Sequence, residues 1–121
     1  MDTSITKQFR FEAAHTLPKH DGKCKDLHGH SYLLEVTITG DIQSAGPKEG
    51  MIMDFTDVSV IVDREIISQW DHKFLNDLVS FTTTAENLAN EIFARLDKYL
   101  PITKGKLWET SKAYVEVVAK K

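Results

Sequence analysis

Residues 28–39 alternate between two kinds of side chain, and this pattern limits the possible folds more than any other stretch. The even positions begin with two histidines and continue with large apolar residues: His28, His30, Tyr32, Leu34, Val36 and Ile38. The odd positions are mostly polar. A period of two is typical of a β-strand, whose successive side chains point to opposite faces. His28 and His30 therefore share a face, and both rings can reach one cation without a bend in the backbone.

Residues 5–15 alternate in the same way, and His15 is the last position of their apolar face. If this strand pairs antiparallel with the strand that begins at His28, His15 lies beside His28 and His30. Three imidazoles around an open fourth position are typical of a catalytic zinc site. Nitrogen ligands alone leave copper, nickel and iron as alternatives, and a His-x-His pair also occurs by chance on strands. His20, in a lysine-rich loop, is expected to be a solvated surface residue.

Composition excludes several classes of protein. The 121 residues, with 41% hydrophobic and 27% charged side chains, are typical of one globular domain, residues 1–121. A net charge of −3 argues against general binding of nucleic acid. No stretch approaches the ~20 apolar residues of a membrane span, and the N-terminus lacks a signal-like apolar run, so we expect a cytoplasmic protein. The single cysteine, Cys24, excludes an internal disulfide.

The rest of the chain predicts two helices and two more strands. One helix begins at Asp54 or Thr56 and runs to about residue 70, and the second begins at Thr83 or Thr84, where Thr83-Thr84-Ala85-Glu86 has the form of a capping box. Residues 107–109 and 113–118 are predicted strands. The expected fold is α+β, in the order β-β-α-α-β-β, with two helices on one face of a four-stranded antiparallel sheet. Its free edges favour oligomerisation, with a site shared between subunits.

Several motifs, in this order, resemble those of the 6-pyruvoyl-tetrahydropterin synthase family. They are Phe11-Glu12-Ala13-Ala14-His15, Cys24-x-x-x-His28-Gly29-His30, Met53-Asp54-Phe55, Asp71-His72-Lys73-Phe74-Leu75-Asn76, Glu86-Asn87-Leu88-Ala89 and Glu109-Thr110. The resemblance runs nearly end to end. It implies the tunnelling fold (T-fold), in which the sheets of several subunits join into a barrel, commonly as a hexamer built from two trimers.

The resemblance also implies a substrate and site residues. The substrate would be 7,8-dihydroneopterin triphosphate, and each subunit would bind one zinc ion. The metal ligands carry over as His15, His28 and His30, and the proton-transfer group carries over as Cys24, Asp71 and His72. Glu109 would anchor the pterin, with Thr84 nearby. Cys24 lies among Lys19, Lys23 and Lys25, which would favour its thiolate form and could hold a triphosphate.

The gap between Cys24 and His28 is similar to that in the branch that forms 6-carboxytetrahydropterin for queuosine synthesis and releases acetaldehyde and triphosphate. The pyruvoyl-forming branch, with a longer insert there, is the alternative. Two departures bear on this choice. The branch usually has Gly and Arg after the cysteine, where this chain has Lys25 and Asp26. The usual Asn-Pro-Thr-Ser before the second helix is replaced by Thr82-Thr83-Thr84-Ala85.

Other interpretations compete with these assignments. A cupin could use His28, His30 and Glu35, but Glu35 has the opposite parity and two helices do not suit an all-β barrel. A pterin- or metal-binding module without catalysis is the other alternative, because an intact site does not prove turnover. Considered singly, Cys24 could be a passive thiol, Asp71 a cap beside an exposed His72, Glu109 a surface residue and Thr84 only a helix cap.

Overall fold

The computed structural model describes residues 2–120, so Met1 and Lys121 of the predicted domain lie outside the described part. Five strands form one sheet: β1 (Thr3–His15), β2 (His28–Gly40), β3 (Lys73–Phe74), β4 (Ile102–Thr110) and β5 (Ala113–Val118). Their order across the sheet is β3-β1-β2-β4-β5. The four long strands pair antiparallel with their neighbours, as predicted.

The sheet has one strand more than the four predicted. β3 consists of two residues and pairs parallel with Ala13 and Ala14 at the end of β1. It is too short to show an alternation, so the sequence pattern could not reveal it. β4 is also longer than the predicted segment 107–109, since it begins at Ile102. The extra length brings Gly105 opposite Val36, where the sheet meets the helical layer.

The first helix begins where the sequence predicts. Asp54 caps α1 (Phe55–Val62) by accepting a hydrogen bond from the backbone N–H of Thr56. The helix continues through a π-helical turn, Asp63–Ile67, into a last α-turn, α2 (Ser68–Trp70). Its buried side chains follow helical spacing: Val58, Val62, Ile66 and Trp70.

The second long helix, α3 (Ala85–Asp97), begins one residue later than the proposed capping box implied. Thr84 is the N-cap, and its hydroxyl accepts a hydrogen bond from Asn87 N–H at 3.2 Å. The capping box between Thr83 and Glu86 is therefore wrong, because the Thr83 side chain is turned to other partners. The buried face of α3 consists of Leu88, Ala89, Ile92 and Leu96.

The core lies between the helices and the apolar face of the sheet. On that face the Phe11 and Tyr32 rings stack at 4.9 Å between centroids, and Trp70 meets Phe11 edge-on. The apolar row of β2 runs toward its start into His30 and His28, and the row of β1 ends in His15. The histidines therefore lie at one end of the face that builds the core. Within residues 2–120, no helix is both long and apolar enough to cross a membrane.

Candidate metal and substrate site

Strand pairing brings three histidines together. His15 is directly opposite His28 and Ala13 is opposite His30, as expected for an antiparallel return of the chain. The ring centroid of His15 lies 4.5 Å from that of His28 and 5.1 Å from that of His30, and the other two are 4.9 Å apart. Each ring offers one nitrogen within 4.8 Å of the other two. A single cation can therefore contact all three.

Hydrogen bonds orient two of these rings and fix their tautomers. His15 Nδ1 lies 2.7 Å from the carbonyl oxygen of Thr83, and His28 Nδ1 lies 2.7 Å from that of Asp26. A carbonyl can only accept, so each Nδ1 carries the proton and donates it. In a neutral ring the lone pair is then on Nε2. A backbone acceptor behind the ring is the usual support of a metal-binding histidine.

Burial keeps His15 and His30 neutral. Loss of solvent is the largest effect and lowers the pKa of both rings below the ordinary value. For His15 the Thr83 carbonyl opposes this shift, and for His30 the Glu109 carboxylate does so. Neutral imidazole is the form that binds a metal ion. The two rings are therefore ready to act as ligands near neutral pH.

The residues fit a divalent metal ion. The Nε2 atoms of His15 and His30 are buried and have no hydrogen-bond partner within residues 2–120. A buried nitrogen without a partner is costly, and a bound cation would satisfy both atoms. Three nitrogen donors and a carboxylate at the edge suit zinc, although ligand type alone does not distinguish zinc from other transition metals.

Glu109 is the carboxylate at that edge. Its Oε2 atom lies 3.9 Å from Nε2 of His15 and 3.9 Å from Nε2 of His30, and the side chain is 30% exposed. The pairing of β4 with β5 has an irregularity between Trp108 and Thr110, so Glu109 has no direct partner across the two strands. Trp108 belongs to the opposite face, where its indole N–H donates to Glu35 at 2.7 Å. This position of Glu35, away from the histidines, rules out the cupin ligand set.

Asp71 and His72 form a second polar group at the same end of the sheet. They follow α2, and His72 Nδ1 lies 3.0 Å from Asp71 Oδ2. The Asp71 carboxylate also accepts the N–H of Glu12 at 2.8 Å, and the His72 N–H donates to the Glu12 carbonyl. The bond from Glu12 is the main reason that the pKa of Asp71 lies below its usual value. The side chains of Asp71 and His72 are therefore in direct contact, although adjacency in the sequence does not ensure this.

The His72 side chain is far more open than the other three site histidines. It is 78% exposed, and its φ of 60° is in the left-handed region, which is uncommon for residues other than glycine. Such backbone conformations often occur at functional sites. The two bonds to Glu12 hold the turn in this conformation.

The other three predicted site residues lie outside the histidine cluster: Cys24, Lys23 and Thr84. Cys24 is half-buried in a 3₁₀ turn, Lys23–Lys25, and its carbonyl accepts the N–H of Leu17, two residues beyond His15. Lys23 is exposed in the same turn. Within residues 2–120, no hydrogen bond or ion pair joins the side chains of Cys24, Lys23 or Thr84 to the histidine cluster.

Two cavities of about 480 and 520 Å³ meet at His30, with Gly29 and Ser31 on the border of both. The first extends to Glu12 and His72, and the second to Glu109. Thr84 borders a different cavity of about 410 Å³, which also includes Lys19 and His20. Neither cavity is lined by His15 or His28, since both cavities lie mainly on the opposite face of the sheet, with Ser31, Leu33 and Trp108, and Thr84 opens into separate space.

Two residues that sequence reasoning did not select support His15 from behind. Thr83 is fully buried and contacts His15 Nδ1 with both its carbonyl and its hydroxyl oxygen. Asn76 bonds both backbone groups of Thr16. Asn76 is part of a motif that carried the family resemblance, and that was the signal available in the sequence.

Three known proteins are similar in sequence to this chain over most of its length. A 6-carboxy-5,6,7,8-tetrahydropterin synthase of Haemophilus influenzae is 40% identical over 135 residues, covering 93% of this chain and 96% of its own. One from Synechocystis is 42% identical over 78% of this chain and 74% of its own. A dihydroneopterin monophosphate aldolase of Pyrococcus furiosus is 34% identical, covering 97% of this chain and 98% of its own.

The fold and the sequence identify the family. The structure of 6-pyruvoyl tetrahydropterin synthase from Caenorhabditis elegans matches with a TM-score of 0.86 at 24% identity, covering 99% of this chain and 97% of that one, which supports the T-fold. The family model described as 6-pyruvoyl tetrahydropterin synthase matches residues 4–120. The chain belongs to the 6-pyruvoyl tetrahydropterin synthase family.

Proposed function

We propose that this protein is a zinc-dependent 6-carboxy-5,6,7,8-tetrahydropterin synthase. It would convert 7,8-dihydroneopterin triphosphate into 6-carboxytetrahydropterin, with release of acetaldehyde and triphosphate. The observation that carries the proposal is the set of three converging histidines, two of which have buried Nε2 atoms without a partner. The identity of 40% to a protein of that name supports the carboxy-forming branch.

His15, His28 and His30 would hold one zinc ion per subunit. When bound, zinc acts as a Lewis acid that would acidify the side-chain hydroxyls of the pterin and stabilise negative charge as protons move. The protein's own contribution is orientation. The backbone acceptors of Thr83 and Asp26 direct the rings of His15 and His28 inward, and burial of His15 keeps solvent away from the ligand atoms.

Cys24, Asp71 and His72 would transfer protons during the reaction. Cys24 is the proposed base, and Asp71 would orient the His72 ring. The contact of 3.0 Å between Asp71 and His72 and the open position of the His72 ring support this pairing. Cys24 would act on the same substrate from the turn that is joined to Leu17.

Glu109 would anchor the pterin, since a carboxylate can accept two hydrogen bonds from its amino and ring N–H groups. Its position on the border of the cavity that includes His30 supports this role. Lys23 would attract the triphosphate from the turn beside Cys24. Thr84 stays a proposed substrate contact, although its hydroxyl also caps α3.

We further propose a homo-oligomer, a hexamer made of two trimers, in which the sheets join edge to edge into a barrel. β3 pairs only with Ala13 and Ala14, near the end of β1. The remaining backbone groups along that edge can therefore pair with another subunit. A site at the end of the sheet would then be shared between subunits. Cytoplasmic location and a place in queuosine synthesis are parts of the same proposal.

Two other reactions compete with this one. Formation of 6-pyruvoyl tetrahydropterin is the first, because Lys25 and Asp26 depart from the usual carboxy-forming pattern. Cleavage of dihydroneopterin monophosphate is the second, because an aldolase named for that substrate is 34% identical over nearly the full length. The first alternative differs from the proposed reaction in its product, and the second differs in the phosphorylation of its substrate.

The deciding experiment supplies the zinc-loaded protein with dihydroneopterin triphosphate and, separately, with the monophosphate. Products are identified by mass spectrometry and acetaldehyde is assayed in parallel, with His28→Ala as the matched inactive control. We expect 6-carboxytetrahydropterin and acetaldehyde from the triphosphate. A pyruvoyl product, or turnover of the monophosphate alone, would replace the proposal by the corresponding alternative, and no turnover would favour a binding module.

A further inference from the structure

The residue after His15 is held by a two-bond clamp. Thr16 N–H donates to Asn76 Oδ1 at 2.9 Å, and Asn76 Nδ2 donates to the Thr16 carbonyl at 3.0 Å. The carboxamide thus satisfies both backbone groups of Thr16, which lies just past the end of β1. Asn76 itself belongs to a short 3₁₀ turn, Leu75–Asp77, whose Leu75 is fully buried. The clamp therefore joins the end of the ligand strand to the core.

Thr83 completes a closed network around the same point. Its hydroxyl donates to the Thr16 carbonyl at 3.2 Å, which leaves its lone pairs directed to His15 Nδ1, also at 3.2 Å. The Thr83 carbonyl accepts from the same Nδ1 at 2.7 Å. One N–H is therefore shared between two oxygens of one buried residue. Rotation of the His15 ring would break both bonds, and a proton on Nε2 in place of Nδ1 would break the bond to the carbonyl, which can only accept.

We propose that Asn76 and Thr83 are positioning residues that hold His15 in the orientation and tautomer needed to bind the metal ion. Asn76 fixes the backbone beside the ligand, and Thr83 fixes the ring. The inference rests on the proposed function only in requiring that the histidine cluster binds zinc. It adds that the chain prepares this ligand before any metal or substrate arrives.

The Thr83 hydroxyl contacts both the His15 ring and the Thr16 carbonyl. A residue without a hydroxyl at this position could still present its backbone carbonyl to His15, but it could not bond Thr16. The support of the His15 ring and the clamp on the Thr16 backbone are therefore connected through one side chain. Loss of the Thr83 hydroxyl should weaken metal binding.

The test measures zinc affinity by competition with a chromophoric chelator, for zinc-free protein refilled with zinc. Thr83→Val keeps the shape and the carbonyl but removes the hydroxyl, and we expect its affinity to fall about 10-fold, the lower end for support of a metal ligand. Thr83→Ser restores the hydroxyl and should recover most of the affinity. Thr82→Val is the matched control, since Thr82 is exposed and only its carbonyl is bonded.

A purely structural role would leave zinc affinity unchanged in variants that remain folded. Asn76→Ala provides a second route, with an expected loss of about 10-fold or more. Cobalt substituted for zinc gives a ligand-field absorption spectrum, which should change in Thr83→Val and return in Thr83→Ser. Unchanged affinity and spectrum in folded Thr83→Val and Asn76→Ala would overturn the inference.

A measurement on the unmodified protein does not depend on how the variants fold. Nitrogen-15 NMR of the histidine rings in zinc-free protein should show the proton of His15 on Nδ1. A proton on Nε2 would overturn the inference even if every variant failed to fold. Failure of the unmodified protein to bind zinc would instead refute the proposed function, so the two failures are distinguishable.

Discussion

The two histidine groups at this end of the sheet are held in opposite ways. His15, His28 and His30 are positioned by regular strand pairing, and the first of them is almost fully buried. His72 is 78% exposed on a turn with left-handed backbone, held by Asp71 and by two bonds to Glu12. One group depends on the sheet and on exclusion of water, whereas the other depends on a few local polar contacts.

This difference separates binding from proton transfer. Neutral, buried rings with inward lone pairs are suited to hold a metal ion and poorly suited to exchange protons with solvent. An exposed ring beside a carboxylate is accessible to solvent and to a substrate, as proton transfer requires. Substitutions in the two groups should therefore produce different defects, which the following experiments measure in order of decreasing effect.

Replacement of a ligand should have the largest effect. His28→Ala should lose its equimolar zinc and all turnover, because two histidines are too few protein ligands to retain the metal ion. Zinc per folded chain, measured by atomic absorption after dialysis, checks this. His20→Ala is the control, since His20 is exposed and its ring bonds only the N–H of Gly22. Full zinc content in His28→Ala would remove His28 from the ligand set.

Replacement at the exposed pair should reduce turnover and leave zinc in place. In Asp71→Asn the bond from Glu12 can persist, but the charge beside His72 is lost. We expect kcat to fall by about 10²-fold or more, the range for a general acid–base group, with normal zinc content. Steady-state kinetics of zinc-loaded protein measure this, with exposed Asp63→Asn as the control. A normal kcat would show that Asp71 only closes the turn.

Acid should remove the contribution of Asp71 to stability. Its pKa is lowered in the folded state, so the folded protein binds this proton less readily than the unfolded chain. The stabilisation is present above the ordinary pKa of about 4 and is lost as the pH falls through the folded pKa. Urea unfolding of unmodified protein and Asp71→Asn should show a stability difference that shrinks below pH ~4. A constant difference across this range would contradict the assignment.

The smallest effect is expected at Tyr32, which follows His30 on the buried face. Its hydroxyl has no hydrogen-bond partner within residues 2–120, and burial raises its pKa. Tyr32→Phe should therefore change the free energy of unfolding by no more than about 1 kcal/mol, with zinc binding retained. Tyr32→Ala also loses the stacking on Phe11 and should cost about 3 kcal/mol or more. A loss of turnover in Tyr32→Phe would add the hydroxyl to the site.

The histidine cluster could be predicted from the sequence because the alternation of side chains along a strand has a period of two. The alternation placed His15, His28 and His30 on one face, and the return of the chain placed them side by side. Both long helices and the order of the four long strands along the chain were predicted for the same reason. The pterin-synthase family followed from the motifs and is confirmed by the comparisons.

The remaining features depend on contacts that no periodicity encodes. The bonds of Asn76 to Thr16 join residues 60 positions apart, and the contact of Thr83 with His15 spans 68 positions. Thr84 was correctly offered as a helix cap, yet the burial of its neighbour Thr83 could not be read from a run of three threonines. The two-residue β3 is set by its pairing with Ala13 and Ala14, and the left-handed turn at His72 is set by bonds to Glu12, all of them far away in the chain.

The uncovered edge of β1 has a thermodynamic consequence. β3 pairs with Ala13 and Ala14 alone, although β1 is 13 residues long. If a second copy pairs with the remainder, unfolding is coupled to dissociation, and mass action makes the melting temperature rise with protein concentration. Dilution would then weaken the metal site as well, because the strand that ends in His15 is the strand whose edge the second copy protects.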